Sequence, residues 1–310
     1  MHNLPVVSDL HSRFPDAQID WVVEESFVDI PRLHPCVRRV IPVALRRWRK
    51  RLLLPAIWRE MASFRDALQT DDYDAVLDTQ GLIKSGLIAR QAGLSTKGRR
   101  YGYAAEAARE RWAARFYDEV FAIPKNAHAV ERNRWLAATT FGYVPDLPSL
   151  PLDYGIQAAP LAAAWLPAIP YAVLLTATSR ADKLWPEEDW LKLAAALSGR
   201  GLACVLPAGS AAERDRATRL TQNMDNATLA PMLTIAGLAG LCAGARLVVG
   251  LDTGLTHLAA ALDKPTLALF AGSDPALTGV YAGDRARNLG AKGVSASIAE
   301  VVSAVTELLG

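Results

Sequence analysis

The sequence predicts an α/β protein built from two parallel-sheet domains, and three observations support this prediction. Apolar runs of strand length alternate with segments of helical periodicity along nearly the whole chain. Six prolines between residues 145 and 170 interrupt this alternation, which predicts a linker between domains. In VVGLDTGLTHLAAA (248–261), an apolar run stops at Asp-Thr-Gly and restarts as a helix, as expected where a strand feeds a helix. We therefore predict domains at 1–155 and 165–310.

The individual elements follow from periodicity and from breaker residues. In the first half, strands are predicted at 18–25, 37–44 and 73–81, and helices at 52–69, 82–93 and 128–142. In the second half, strands are predicted at 171–179, 201–209, 246–252 and 265–272, and helices at 186–198, 212–223, 234–244, from 254 onward and at 295–309. Strands that alternate with helices in this way favour right-handed βαβ units and a parallel sheet.

Composition excludes several functional classes. The 34 basic and 32 acidic residues nearly cancel, so the chain lacks the global charge of a nucleic-acid-binding protein and must meet any anionic partner locally. No run of about 18 uncharged apolar residues is present and the start is no signal peptide, so we expect a cytoplasmic protein. Cys36, Cys204 and Cys242 lack metal-type spacing, which predicts neither a metal site nor a disulfide.

The Asp-Thr-Gly joint is the first candidate for a ligand site. Ligands of open parallel sheets bind beyond the carboxyl ends of the strands, and the helix that begins at Gly254 offers free N–H groups to a phosphate. Thr256 and His257 lie in the first turn of that helix and can add a hydroxyl and an imidazole. The competing interpretation is that Asp252 or Thr253 only caps the helix and that His257 has a structural partner.

Two further strand ends of the same domain carry polar residues. Thr178, Ser179 and Lys183 follow the first strand of the second half, and the lysine can reach an anionic ligand there. Glu213 follows the next strand, where a carboxylate suits ribose hydroxyls. The alternatives are a solvated lysine and an ordinary acidic residue in the first turn of a helix.

These motifs resemble those of the lipopolysaccharide heptosyltransferase I family, the ADP-heptose:Kdo-lipid A heptosyltransferases. The segments that carry the resemblance span the chain: DWVVEESF (20–27), RVIPVALRRWRK (39–50), YDAVLDTQGLIKS (73–85), HAVERNR (128–134), TSRADKLWPEEDW (178–190) and LDTGLTHLAAALDKP (251–265). The resemblance implies a GT-B glycosyltransferase with two facing Rossmann-like domains. It also implies inverting transfer of heptose from ADP-heptose to the inner Kdo of Kdo-lipid A, with neither a metal nor a cofactor.

The resemblance also implies roles for individual residues. Those implied to hold the donor are Thr178, Ser179, Lys183, Glu213, Leu233, Asp252, Thr253, Gly254 and His257. Leu233 stands where relatives have a methionine beside the adenine, a change that keeps an apolar contact. Lys183 is implied to be catalytic, because a positive charge there stabilises the departing diphosphate.

The basic segment at 38–51 contains seven Lys or Arg residues and no acid. By resemblance, Arg46, Arg47, Arg49 and Lys50 contact the acceptor, with Arg109 as a further contact. Such a cluster also favours an anionic membrane surface, so we expect a peripheral protein on the cytoplasmic face of the inner membrane. The alternative is a solvated helix end.

The beginning of the chain predicts a departure from the family. Met1 to Pro5 match the tail of the family's G-D-x-x-H-x-L-P segment, so its first strand and its Gly-Asp turn, with the general base, have no counterpart. Asp9 would lie about two helical turns, roughly 10 Å, from the required position. We expect a chain that binds ADP but transfers heptose poorly. The alternatives are heptosyltransferase II, another related sugar transferase, or an ADP-binding protein with impaired catalysis.

Overall fold

The computed structural model describes residues 1–143, 152–178 and 180–310. These residues divide into two compact units, one of His2–Gly155 and one of Ile156–Gly310 together with Met1. Each unit is α/β with parallel strand pairing, which confirms the predicted fold class. Within the described ranges, no helix is long and apolar enough to cross a bilayer.

The first unit contains two small parallel sheets. Its strands are β1 (Ile19–Glu24), β2 (Val37–Val43), β3 (Tyr73–Asp78), β4 (Leu94–Tyr103) and β5 (Glu119–Phe121). Its helices are α1 (Leu4–Arg13), α2 (Asp29–Arg32), α3 (Leu45–Trp48), α4 (Pro55–Leu68), α5 (Ile83–Ala89) and α6 (Ala129–Phe141), with 3-10 turns at Glu25–Phe27 and Arg111–Phe116. Among the described strands, β1 pairs with β2, and β3, β4 and β5 form the second sheet in that order.

Charged side chains link the elements of the first unit. Asp20 on β1 accepts hydrogen bonds from Tyr73 Oη at 2.7 Å and from Arg39 Nη2 at 2.7 Å, which joins the two sheets. Burial would raise the pKa of Asp20, but hydrogen bonds from Arg38, Tyr73 and Arg39 outweigh it and lower that pKa. Asp9 on α1 forms a buried bidentate ion pair with Arg134 on α6, with N···O distances of 2.7 and 2.8 Å.

The second unit is built on one larger sheet. Its strands are β6 (Tyr171–Leu175), β7 (Ala203–Leu206), β8 (Ala227–Leu229), β9 (Leu247–Leu251), β10 (Thr266–Leu269) and β11 (Ala286–Leu289). Its helices are α7 (Glu187–Ser198), α8 (Ala211–Gln222), α9 (Ile235–Gly244), α10 (Gly254–Ala261), α11 (Pro275–Thr278) and α12 (Ile298–Leu309), with a 3-10 turn at Ala181–Lys183. In the described part, the strands are all parallel, in the order β11-β10-β9-β6-β7-β8.

Apolar residues cover both faces of this sheet. Along β6, Ala172 and Leu174 join a core with Trp190 of α7, while Val173 and Leu175 join a second core on the opposite face with Leu241 of α9. This alternation is the two-residue period of a strand, and burial on both faces explains why these strands read as continuous apolar runs.

All strands and helices predicted from the sequence occur in the structure. The prediction missed α1 as a helix in its own right, four short or polar strands (β4, β5, β8 and β11) and the shortest helices. The helix predicted from residue 52 starts at Pro55, because proline is favoured at the first helical position and residues 52–54 lie before it. The predicted linker begins outside the described residues, and 152–170 contain no helix or strand.

Candidate functional site

The strand order of the second unit places a topological switch point between β6 and β9. β6 and β9 are neighbours, and from this pair the chain winds outward in opposite directions, to β7 and β8 on one side and to β10 and β11 on the other. Ligands of doubly wound sheets bind at such a switch point, beyond the carboxyl ends of the strands. Thr178 follows β6 there, Asp252 follows β9 and Ser273 follows β10.

Asp252 is the centre of a cluster of polar side chains at this edge. Lys183 Nζ donates to Asp252 Oδ2 over 2.5 Å, and Ser273 Oγ donates to the same oxygen. His257 Nε2 lies 3.8 Å from Oδ1. The side chains of Lys183, Asp252 and His257 expose only 10–15% of their surface, so the cluster is largely shielded from water. We call these four residues the Asp252 cluster.

The cluster determines the protonation state of Asp252. Burial alone would raise the pKa of this carboxyl, but its interactions with His257, Lys183 and Ser273 outweigh burial and hold the pKa well below its ordinary value. Asp252 is therefore a carboxylate at every physiological pH. The two predicted residues Lys183 and His257, which are far apart in sequence, meet at this anion.

The joint between β9 and α10 is fixed by buried hydroxyl contacts. Thr256 is fully buried, and its Oγ1 donates to Leu251 O over 2.6 Å and lies 3.3 Å from Thr253 Oγ1. A Cβ at Gly250 would lie 2.4 Å from Thr256 Oγ1, so only glycine leaves room for this contact. Thr253 occupies the N-cap position but makes no side-chain capping bond, so the interpretation of Thr253 as a simple helix cap is wrong.

The start of α10 is open. A Cβ built on Gly254 would meet no atom within 4 Å, so the backbone at this position faces free space. As at any helix start, the first N–H groups, those of Gly254 and Leu255, have no acceptor within the helix. Free N–H groups, the positive end of the helix dipole and space in front of them are what an anionic group requires.

Lys183 is held against the same edge by a close backbone approach. The 3-10 turn Ala181–Lys183 packs on Gly272, where an added Cβ would lie 2.9 Å from Lys183 Cγ and 3.1 Å from Asp182 Oδ2. Lys183 is therefore a partly buried, ion-paired residue, and the alternative of a solvated loop cation is wrong.

The other residues predicted to hold the donor are more dispersed. Thr178 is partly buried at the end of β6, Leu233 is partly buried just before α9, and Ser179 lies outside the described residues. Glu213 Oε2 accepts from the backbone N–H groups of Gly209 at 2.8 Å and Ser210 at 3.1 Å, forming a capping box at the start of α8. The structure thus gives Glu213 a capping role, and its contact with a ribose stays a prediction.

The basic segment of the first unit is not one uniform surface. Arg38 and Arg39 are bound to Asp20 and Asp71, apart from the residues that follow β2. Arg47 is paired with Glu25 and Glu60, with N···O distances of 3.0 and 2.8 Å.

Four other cations of this segment remain exposed. Arg46, Arg49, Lys50 and Arg51 make no side-chain ion pair within the described residues, although the Arg46 guanidinium lies over the ring of Phe27 at 5.9 Å. Together with Glu24, Glu25 and Ser26, the residues Arg46, Arg47, Lys50 and Arg51 line a surface cleft of about 310 Å³. Arg109 is also exposed, in the loop after β4, beside the bond between Glu110 N and Gly81 O at 3.0 Å.

Comparison with known proteins adds evidence that does not depend on this geometry. The family model described as glycosyltransferase family 9 (heptosyltransferase) matches residues 61–301. The chain belongs to glycosyltransferase family 9. This family 9 chain is 46% identical to lipopolysaccharide heptosyltransferase 1 of Pseudomonas aeruginosa over 281 residues, which cover 91% of this chain and 78% of the relative.

Two solved structures of E. coli heptosyltransferase WaaC are similar to this family 9 chain over 99% of its length and 94% of theirs, at 39% identity. The structure with ADP superposes with a TM-score of 0.87, and the structure with ADP-2-deoxy-2-fluoro heptose with a TM-score of 0.84. The predicted family membership and fold are thereby confirmed.

The sequence analysis did not name Ser273 as a site residue. Ser273 directly follows the strand predicted at 265–272, just as Asp252 lies at the end of the strand predicted at 246–252, and this position could have identified it.

Proposed function

We propose that this chain transfers L-glycero-D-manno-heptose from ADP-heptose to the inner Kdo of Kdo-lipid A, with inversion at the anomeric carbon. The observation that carries the proposal is the Asp252 cluster, which lies at the switch point of the sheet beside the open start of α10. Relatives named for heptose transfer to lipopolysaccharide, and similar structures with ADP and an ADP-heptose analogue, support this choice of substrates.

The donor half of the reaction needs stabilisation of a leaving diphosphate. Cleavage of the bond between sugar and diphosphate builds negative charge on the phosphate oxygens and positive charge on the sugar ring. Lys183 and the free N–H groups at the start of α10 are fixed donors for the negative charge. Asp252 is a carboxylate that orients Lys183 and His257 and leaves a negative charge near the electron-poor sugar.

The acceptor half is assigned to the first unit. The exposed side chains of Arg46, Arg49 and Lys50 suit the carboxylates and phosphates of an anionic acceptor, with Arg109 as a further contact. Arg47 contributes less directly, because two glutamates already neutralise it. We assign Asp9 no role as the general base, since it is buried in its ion pair with Arg134.

Donor binding and turnover test the first part of the proposal. Asp252→Ala is expected to weaken ADP binding in calorimetry and to lower heptose transfer strongly, since Lys183 and His257 lose the anion that orients them. The matched control is Asp215→Ala, because Asp215 is an exposed aspartate on α8 of the same unit. Unchanged ADP affinity and transfer in Asp252→Ala would remove the site assignment.

Acceptor choice tests the second part. Transfer is measured with ADP-heptose onto Kdo-lipid A and, separately, onto the same acceptor already carrying one heptose. Product with the first acceptor alone supports the proposal, and product with the second alone assigns the chain to heptosyltransferase II chemistry. ADP binding with no turnover on either acceptor would leave a nucleotide-binding protein.

A further inference from the structure

An exposed apolar surface lies directly after the basic segment. Residues 52–54, here named the leucine loop, consist of three leucines, of which Leu53 is 97% exposed and Leu52 and Leu54 are about half exposed. The indole of Trp58 is 59% exposed, and its Nε1 donates to Leu52 O over 2.9 Å, which places the ring beside the loop. A soluble protein has no folding reason to present four large apolar side chains together in this way.

The leucine loop is well anchored and internally bonded. On its amino-terminal side, Trp48 is buried against Phe64 and donates to Glu60 Oε2 over 2.9 Å, and on its other side Ile57 is buried in the same core. Leu54 N donates to Arg51 O at 3.1 Å, so a turn encloses the two leucines at the tip. A tip whose backbone is partly satisfied internally costs less free energy to transfer out of water.

Exposed cations lie directly before this apolar tip. Arg49, Lys50 and Arg51 precede it and are exposed, and Arg46 lies one helical turn earlier. Of the nearby acids, Glu25 and Glu60 pair with Arg47, and Glu24 accepts a hydrogen bond from the backbone N–H of Arg46. An apolar tip next to several unpaired cations matches the layers of an anionic bilayer, with apolar chains beneath negative headgroups.

We propose that the leucine loop and Trp58 insert into the interfacial layer of an anionic membrane, while Arg46, Arg49, Lys50 and Arg51 bind its headgroups. A second copy of this chain is the weaker candidate, because a two-fold contact at this tip would bring like charges together. The inference deepens the proposed function and rests on it for the choice of a bilayer, since the proposed acceptor is a lipid. It gives the apolar residues a role in membrane attachment only, whereas the cations contact both the headgroups and the anionic groups of the proposed acceptor.

The test uses the full chain and vesicles that contain no acceptor. Cosedimentation is measured with phosphatidylcholine vesicles that contain about a third phosphatidylglycerol and with vesicles of phosphatidylcholine alone. The wild-type chain is expected to bind the anionic vesicles and to be released as salt rises. Leu53→Glu is expected to lower the partition coefficient roughly tenfold or more. The matched control is Leu87→Glu, an exposed leucine on α5, which should bind as the wild type does.

Two further measurements separate this inference from the proposed function. Leu53→Glu should retain the wild-type melting temperature and ADP affinity, because Leu53 contacts solvent. It should also transfer heptose normally to an acceptor stripped of its acyl chains, which tests the proposed function without a bilayer.

Three results would overturn the inference. Leu53→Glu could bind anionic vesicles as tightly as the wild type does, which would leave the loop without a membrane role. A loss of transfer to the acyl-free acceptor would place the leucine loop in the acceptor site. A wild-type dimer that Leu53→Glu converts to a monomer would assign the surface to a second copy.

Discussion

The Asp252 cluster and the basic segment both carry positive charge, but the structure uses that charge differently. In the Asp252 cluster, Lys183 and His257 surround one carboxylate at the end of a buried sheet and are largely shielded from water. In the basic segment, Arg47 is neutralised by two glutamates, and Arg49 and Lys50 extend into solvent. Fixed, shielded charges suit the stabilisation of a transition state, whereas exposed charges suit capture of a large anionic partner.

Removal of the cation of the Asp252 cluster should give the largest effect. Lys183→Ala is expected to lower heptose transfer about a hundredfold or more, because a preorganised positive charge is lost from the leaving diphosphate. The melting temperature should fall far less than the activity does, since Asp252 keeps its contacts with Ser273 and His257. The control Lys192→Ala removes a surface lysine paired with Asp189 and should leave both quantities unchanged. A loss of stability in proportion to activity would make Lys183 a structural residue.

Gly254 and Gly250 should respond differently to substitution by alanine, because the first faces open space and the second is closely packed. Gly254→Ala should weaken ADP binding about tenfold without lowering the melting temperature, because its methyl group would meet no protein atom and alanine favours the helix. Gly250→Ala should instead destabilise the protein by about 1–3 kcal/mol, because its methyl group would overlap Thr256 and Leu175. Calorimetry with ADP and thermal unfolding measure the pair. Normal ADP affinity in Gly254→Ala would place the diphosphate elsewhere.

Ser273 tests whether the orientation of Asp252 matters. Ser273→Ala removes one hydrogen bond to the Asp252 carboxylate and should lower kcat/KM for the donor by roughly a factor of ten. Ser273→Thr keeps the hydroxyl and should restore most of the loss. If the threonine variant were as impaired as the alanine variant, the volume of the side chain and not its hydrogen bond would be the relevant property.

The exposed cations should behave differently from Arg47. Arg49→Ala is expected to raise KM for the acceptor and to leave the melting temperature unchanged, because Arg49 is solvated. Arg47→Ala should lower the melting temperature slightly and affect the acceptor less, since its charge is shared with Glu25 and Glu60. Steady-state kinetics and thermal unfolding of the two variants decide this, and the reverse pattern would make Arg47 the acceptor contact.

Acid pH should give the smallest effect, on stability alone. The pKa of Asp252 is lowered in the folded protein, so its contribution to stability is complete above its unfolded pKa of about 4 and is lost as pH falls below that value. The difference in unfolding free energy between the wild type and Asp252→Asn should therefore be constant from pH 5 to 7 and shrink below about pH 4. Denaturant titrations at several pH values measure it. A difference independent of pH would mean that the Asp252 carboxylate gains nothing from its partners.

The sequence predicted the sheet of the second unit well because its strands are buried on both faces and read as apolar runs. It missed β4, whose sequence LSTKGRRYGY is mostly polar or glycine, because its strand conformation depends on pairing with β3 and β5. The short strands β8 and β11 are only partly buried, so no apolar run marks them as it marks β7 and β10.

In the candidate sites too, features formed by residues adjacent along the chain were predictable, and contacts between distant residues were not. Asp252, Thr253 and Gly254 could be placed at a sheet edge from local sequence, because a strand and the helix that follows it are covalently adjacent. The pairing of Arg47 could not be predicted, because Glu25 and Glu60 lie 22 and 13 residues away along the chain. The leucine loop was included in the helix predicted at 52–69, whereas the helix begins at Pro55.

The ion pair between Lys183 and Asp252 should make the candidate site selective among anions. Lys183 already has a negative partner 2.5 Å away, so an incoming anion gains only the difference between the new ion pair and the one it replaces. A small free anion such as inorganic phosphate has only the N–H groups at the start of α10 with which to outcompete the carboxylate. A nucleotide sugar does, because its base, ribose and heptose contribute contacts of their own. We therefore expect the built-in counterion to act as an internal competitor that weakens the binding of abundant simple anions at the site.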